Sequence, residues 1–297
     1  MAILKVNGLS KNYGSIQALK NVSFNVPEGS VFGILGPNGS GKTTLLGILM
    51  DVLRPAAGSF SFFDNDNAVD NRKRIGTLLE TPNFYHYLSA VENLKIQAAI
   101  KEKDPSDIER VLGIVDLTAR KHSKFNTYSL GMKQRLAIAG CLLGDPQVLV
   151  FDEPTNGLDP VGIAETRELI IRLNKMGKTI IMASHLLDEV EKVCTHVAIL
   201  QRGSLLAEGH VDEVLINEDV IEVSGQNLDQ IEQLAVQLNF PVAPKRNNHH
   251  IDIFCAAGTA DTAKVNKYFH DNGVVLNHLR LRKKSLEARF FELTQKN

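Results

Sequence analysis

The sequence predicts an α/β chain, with a mostly parallel sheet in residues 1–216 and a small α+β domain in 217–297. Three observations lead there. QVLVF (147–151) and TIIMAS (179–184) are short apolar runs of the kind expected for strands buried on both faces. The helical stretch GIAETRELIIRLNKM lies between them, the alternation that builds a parallel sheet with helical crossovers. Near Asn217 the composition shifts to a regular succession of strand and helix patterns. A chain of 297 residues can bury roughly 75% of its extended surface, enough for one large domain or two smaller ones.

The elements follow in order. AILKVNGLSKNYG, IQALKNVSFNVPEG and SVFGILG read as strands with turns, and Val22, Phe24 and Val26 alternate onto one face. TTLLGILMDVL is a helix after a glycine loop, with Leu45, Leu46, Leu49 and Leu53 at helical spacing. RPAAGSFSFFD is a turn and a further strand. From Ser89 to about Leu143 the pattern is mainly helical, a subdomain over about 85–145. VAILQRGSLLAEG reads as a hairpin turning at Arg202-Gly203. The last domain reads DVIEVSG, LDQIEQLAVQL, HIDIFCA, ADTAKVNKYFHDN, VVLNHLRLR and SLEARFFELTQ, strand and helix in turn.

Composition narrows the function. Hydrophobic residues make up 43% and charged residues 23%, ordinary for a soluble globular protein. A formal net charge of −1 argues against a global attraction to nucleic acid or anionic lipid. Cys141, Cys194 and Cys255 lack metal-type spacing and read as reduced, buried thiols of a cytosolic protein. The start, MAILKVNGLSKNYG, lacks the features of a signal peptide. No apolar run approaches the roughly 20 residues needed to span a bilayer, so a membrane role requires a separate spanning partner.

Three apolar runs each end in a chemical motif. VFGIL ends in GPNGSGKT, VLVF in Asp152-Glu153, and TIIMAS in His185. In a parallel sheet the carboxyl ends of the strands share one edge, where ligands bind. The loop matches G-x-x-x-x-G-K-[ST] in full. Gly36, Asn38, Gly39, Ser40 and Gly41 present backbone N–H groups to phosphates ahead of a helix N-terminus, and Pro37, which has no N–H, is part of the same binding loop. Lys42 supplies a point charge, Thr43 a hydroxyl for Mg²⁺, and Thr44 continues the loop into its helix. Adjacent strand residues point opposite ways, so Asp152 can address the metal while Glu153 aims at an attacking water. His185 is placed for a γ-phosphate contact.

With these residues in place, the chain resembles the nucleotide-binding subunit of ABC transporters over about residues 1–215. The resemblance rests on the loop 36–43, a signature at 128–134 that begins YSLGM, VLVFDEP, GLDP at 157–160 and SH at 184–185, in that order. It implies a P-loop NTPase with a RecA-like parallel core, an antiparallel β subdomain and a helical subdomain. It implies hydrolysis of ATP to ADP and phosphate with Mg²⁺, Glu153 serving as general base or water-orienting group. Tyr13, in NYG, would pack on adenine. YSLGM stands where the family has LSGGQ. Ser129 and Gly131 are kept, while Tyr128, Leu130 and Met132 depart, and Leu130 puts the loop's geometry in question. The resemblance implies that this stretch completes the site of a second copy in a head-to-tail dimer, with Asp159 coupling the two sites. Glu80 stands where the family usually has glutamine, and as a hard carboxylate it is a candidate direct Mg²⁺ ligand.

Glu80, TPNFYHYLSAVENL and the ending SLEARFFELT look like the bacterial subfamily that exports peptide antibiotics such as bacitracin and lantibiotics. The expected partners are a second copy and a separate transmembrane permease, at the cytoplasmic face of the membrane, with no nucleic acid. The alternative is a soluble ATPase of related fold acting on ribosomes or DNA. That class usually joins two cassettes or inserts a long coiled coil, whereas this chain has one cassette and no sustained heptads. A P-loop kinase is a more distant possibility. It would not need the 128–134 stretch. NNHH (247–250) reads as a polar turn, since other spaced metal ligands are lacking. LRLRKK (279–284) reads as a strand with one basic, solvated face.

Overall fold

A computed structural model describes residues 1–63, 68–79, 83–215, 218–238, 240, 242–256 and 259–283. Its first elements are β1 (Ala2–Tyr13), β2 (Ile16–Pro27), β3 (Val31–Leu35), α1 (Lys42–Leu49), β4 (Ala57–Phe62), α2 (Ala68–Lys73) and β5 (Ile75–Leu78). The helical segment follows with α3 (Ala90–Ile100), α4 (Ile108–Ile114) and α5 (Leu130–Leu142). Then come β6 (Val148–Asp152), α6 (Pro160–Lys175), β7 (Thr179–Ser184), α7 (Leu187–Val193), β8 (His196–Gln201) and β9 (Ser204–His210). The chain continues as α8 (Val211–Leu215), β10 (Glu218–Gly225), α9 (Leu228–Gln237), β11 (Lys245–Arg246), β12 (Ile251–Ala256), α10 (Thr262–Asp271) and β13 (Leu276–Lys283). It divides into two compact units, Met1–His210 and Val211–Asn297. The boundary expected at 216/217 falls on residues outside those described.

In the first unit, β2-β1-β4 form an antiparallel sheet, and β5-β6-β7-β3-β8-β9 form a second sheet. The second is parallel except for β9, which turns back on β8 as the expected hairpin. The apolar runs explain the order: β3 and β7 are buried along their whole length, as strands covered on both faces must be. Gly33 lets α7 approach β3, since a Cβ there would meet Val190 Cγ1 and Cys194 Sγ at 2.9 Å. Val22, Phe24 and Val26 of β2 are buried in one cluster with Phe32, Ile34 and the Leu45, Leu46 and Leu49 stripe of α1. Phe24 stacks on Phe32 with ring centroids 5.4 Å apart, joining the two sheets at their centre. Each such buried aliphatic or aromatic side chain contributes about 1.5–3 kcal/mol.

In the second unit the strand order is β11-β12-β10-β13, all antiparallel. Ile221, Val223, Ile251, Ile253 and Cys255 on one face pack with Ile231 of α9 and Phe269 of α10. The strand and helix succession of the sequence is present through β13, with the two-residue β11 as an addition. SLEARFFELTQ (285–295) lies outside the described residues. Among those described, no helix is long and apolar enough to cross a membrane. The three cysteines are free and buried. Burial pushes the Cys141 thiol up to about 11 and raises Cys194 and Cys255 as well, so all three are protonated at neutral pH.

Candidate nucleotide site

The parallel pairing of β6, β7 and β3 brings their carboxyl ends to one edge. Beyond β3 the chain turns through the glycine loop into α1. Gly39 and Gly41 take φ of 79° and 108°, a region that disfavours any side chain. A Cβ on Gly41 would also lie 2.6 Å from the Ala18 carbonyl oxygen. No side chain caps α1. Its first-turn N–H groups and the positive end of its dipole are therefore directed at whatever the loop holds.

Lys42 is buried, and its Nζ donates to the Gly36 carbonyl at 2.8 Å and the Pro37 carbonyl at 3.4 Å. The same Nζ lies 3.3 Å from Glu153 Oε1. Glu153 Oε2 is 2.8 Å from His185 Nδ1 and accepts the His185 backbone N–H at 3.3 Å. One carboxylate thus links the loop lysine to the histidine beyond β7. The link depends on a backbone turn. Strand alternation ends at Asp152, and Glu153 adopts φ 49°, in the left-handed region. That conformation costs a non-glycine residue on the order of 1–3 kcal/mol and recurs at functional sites. The Glu153 N–H donates to the Ala183 carbonyl at 3.0 Å, which fixes the turn against β7.

Above the loop lies a cavity of about 780 Å³, within the usual size of small-molecule sites. Its wall includes Tyr13, Lys42, Thr43, Thr44, Glu153 and the loop from Asn38 to Gly41. Tyr13 ends β1 half exposed, with Lys11 Nζ 5.4 Å from its ring centroid. The wall also holds residues that sequence reasoning missed: the start of β2 around Gln17 and Ala18, and Arg202 at the β8–β9 turn. Arg202 sits at φ 47°, and the Gly203 N–H donates to the Ser40 carbonyl at 3.0 Å, tying that hairpin to the loop. The turn was legible at Arg202-Gly203, but its contact with the loop was not. Thr43 offers an exposed hydroxyl and Asp152 a carboxylate at the end of β6. Both are hard oxygen donors of the kind Mg²⁺ prefers. Glu80 lies outside the described residues.

Ser129, Gly131 and Asp159 are not part of this cavity wall among the described residues. Ser129 is the N-cap of α5, its Oγ accepting the Met132 N–H at 3.3 Å. Tyr128 is buried, and its hydroxyl donates to the Arg120 carbonyl at 2.6 Å. Leu130 is 49% exposed at the helix start and lies beside Gly157 of the GLDP segment. Asp159 caps α6, accepting the Gly162 N–H at 2.9 Å. Among the described residues, a Cβ added to Gly131 would meet nothing nearer than Gly162 Cα at 3.8 Å, so none of them demands glycine there.

Residues 19–156 match the ABC transporter family. The chain is 37% identical to the bacitracin transport ATP-binding protein BcrA of Bacillus licheniformis, over 98% of this chain and 97% of BcrA. It is 37% identical to the lantibiotic transport ATP-binding protein SrtF of Streptococcus pyogenes, over 74% of this chain and 98% of SrtF. Among solved structures, it superposes with a TM-score of 0.61 on the ATP-binding cassette MJ0796. That structure is a dimeric post-hydrolysis state bound to ADP and Pi. The two sequences are 28% identical, over 70% of this chain and 98% of that one.

Proposed function

This chain belongs to the ABC transporter family, as an ATP-binding subunit that hydrolyses ATP, and on that premise we propose that it drives export of a peptide antibiotic. The substrate would be of the bacitracin or lantibiotic kind, moved through a separate membrane-spanning permease while this subunit stays peripheral at the cytoplasmic face. The full-length likeness to BcrA supports the substrate class. The observation that carries the chemistry is the Lys42–Glu153–His185 link beside the glycine loop.

In this reading Tyr13 packs on adenine, and the loop N–H groups of Gly36 and of Asn38 to Thr44, with Lys42, hold the phosphates, Pro37 shaping the turn between them. Thr43 and Asp152 would hold Mg²⁺, which neutralises phosphate charge when bound, and Glu80 is a further candidate ligand. The phosphates compete with Glu153 for the charge of Lys42. The displaced carboxylate then orients and deprotonates the attacking water, and His185 turns to the γ-phosphate. Attack breaks the bond between the γ-phosphorus and the bridging oxygen, giving ADP and inorganic phosphate. Ser129 and Gly131 complete the site of a second copy placed head to tail, and Asp159 couples the two sites. The dimeric state of MJ0796 supports this pairing. A cavity of about 340 Å³ around Phe84, Tyr85 and Ile100 supports the helical segment as the place where the permease docks.

Glu153→Gln tests both halves of the proposal. The expected result is a fall in ATPase rate of about 10²–10⁴-fold and an ATP-bound dimer on gel filtration. A variant that hydrolyses ATP normally would remove Glu153 from the reaction. In parallel, the tagged chain extracted in mild detergent should bring down a stoichiometric polytopic membrane protein by mass spectrometry. Recovery of ribosomal or DNA-repair proteins instead would overturn the transport reading and leave the ATPase standing.

A further inference from the structure

The second unit carries a polar cluster that the nucleotide chemistry does not use. Glu222 of β10 and Asp252 of β12 stand directly opposite each other across the strand pair. They lie on the sheet face opposite the one that carries the packed apolar residues. Both are more than nine-tenths buried. Two like charges facing each other across strands are destabilising, and buried carboxylates need cationic partners. Arg282 of β13 supplies one: its Nε lies 2.7 Å from Glu222 Oε1, and its other arm reaches Asp252 Oδ2 at 3.4 Å. The face expected to be basic and solvated is therefore partly paired. Arg282 leaves one oxygen of each carboxylate for a histidine. Glu222 Oε2 lies 3.4 Å from His278 Nε2, and Asp252 Oδ1 lies 3.2 Å from His250 Nε2.

Asp252 Oδ1 is buried and accepts no hydrogen bond among the described residues. Asn247 shows why. Its Nδ2 donates to Asp252 Oδ2 at 2.8 Å, which fixes the amide orientation, and lies 3.1 Å from His250 Nε2. An amide N–H can only donate, so Nε2 presents a lone pair. The one Nε2 lone pair is thus taken by Asn247, so Nε2 carries no proton for Asp252 Oδ1, and a metal bound at Nε2 would displace the Asn247 contact and engage the unpartnered Oδ1. One donor atom from each of Glu222, His250 and Asp252 falls within 4.8 Å of the others. Four tetrahedral ligands at the roughly 2.0–2.2 Å typical of zinc with nitrogen and oxygen donors stand roughly 3.3–3.6 Å apart. The two histidine–carboxylate separations are close to that spacing.

We infer that Glu222, His250 and Asp252 form a binding site for a divalent transition-metal ion such as Zn²⁺, with the fourth position left to water. An imidazole nitrogen with carboxylates suits zinc better than magnesium. The partly exposed His250 gives the ion its way in, and Arg282 and Asn247 hold the carboxylates from behind. NNHH is thus a turn that delivers one ligand, and the others arrive from neighbouring strands by register.

The test uses the full chain without nucleotide. It is stripped with EDTA, incubated with Zn²⁺, exchanged into metal-free buffer and assayed by mass spectrometry of the metal. Co²⁺ serves as an optical probe of four-coordinate geometry. One Zn²⁺ per chain is expected, with the intense visible absorption of tetrahedral Co²⁺. His250→Gln should weaken Zn²⁺ binding by about tenfold or more, the scale of disturbing a metal's ligand shell. Lys42→Ala should leave it unchanged, which separates this site from the nucleotide site. Should Asp252→Asn fail to fold, His250→Gln, at a half-exposed position, still decides the matter once circular dichroism shows native structure. No retained Zn²⁺ in the wild type, or equal retention in His250→Gln, would overturn the assignment and leave a proton as the link between His250 and Asp252.

Discussion

The starts of α1 and α5 are both helix N-termini beside a glycine, yet they are finished differently. At α1 no side chain caps the helix, and Lys42 stands inside the loop with its charge turned inward. At α5 Ser129 caps its own helix, Lys133 of the first turn places its Nζ 5.2 Å from the Phe125 ring centroid rather than on a loop carbonyl, and Leu130 is exposed. The first N-terminus has its partners arranged for an anion brought to it, and it lines an open cavity whose wall includes Lys42 and Glu153. The second has one of its N–H groups capped from within, and it has room for a Cβ at Gly131. An uncapped helix start with a buried cation marks a ligand site. A capped one with unneeded space suits a surface for something that arrives from outside, which in the proposed dimer is the nucleotide face of a second copy.

The largest way to break this contrast is Lys42→Ala. Removing one preorganised charge from a phosphoryl-transfer site should lower the ATPase rate by about 10²–10³-fold. It should also weaken binding of a fluorescent ATP analogue, because Lys42 braces the loop through the Gly36 carbonyl. Near-normal turnover in steady-state assays would mean that the α1 start is not the phosphate site. The change also strips Glu153 of its cationic neighbour, so part of the loss should persist at saturating ATP.

These two helix starts also show how far sequence reaches. The α1 site was legible because its parts are contiguous: a strand, a glycine loop, a lysine and a helix in one run of residues. The parallel core was legible for a related reason, since strands covered on both faces need unbroken apolar runs such as VFGIL and TIIMAS. The family expected from the ordered motifs is the family found. What stayed hidden depends on tertiary register. The left-handed turn at Glu153 has no glycine to announce it. Arg202 and Ala18 reach the cavity only because the β8–β9 hairpin and β2 fold onto the loop. The cluster around Asp252 draws on three strands and a turn, and each of its residues alone is unremarkable.

Ser129 sharpens the contrast with a smaller effect. Ser129→Ala should cost about 1 kcal/mol of stability through loss of the α5 cap, readable as a modest shift in thermal unfolding. If Ser129 served the helix alone, the folded variant would turn over ATP normally. The proposed partner contact requires a loss of activity as well. Ser129→Asp separates the two. Aspartate caps as well as serine, so stability should return, while its charge opposes the partner's phosphates and activity should fall further. Full activity in Ser129→Asp would confine Ser129 to capping.

The start of α3 supplies the control, a helix N-terminus with no ligand in view. Ser89 accepts the Glu92 N–H at 3.3 Å, and Glu92 Oε2 accepts the Ser89 backbone N–H at 2.8 Å, a complete capping box. Hydrogen bonds from the Ser89 backbone and then its hydroxyl hold the Glu92 carboxyl below its ordinary value. A lowered carboxyl stabilises the fold above the unfolded-state value, about 4.3 for glutamate, and that share is lost as pH falls through the lowered folded value. Ser89→Ala should therefore lower stability by about 1 kcal/mol at neutral pH, with no change in ATPase rate. The gap to wild type, followed by urea unfolding, should narrow as the solution is acidified below that range. A gap that stayed constant with pH would mean that the hydroxyl acts on the backbone alone. Loss of ATPase activity in this variant would show that a missing cap by itself can disable the enzyme, and the reading of Ser129→Ala would then rest entirely on Ser129→Asp.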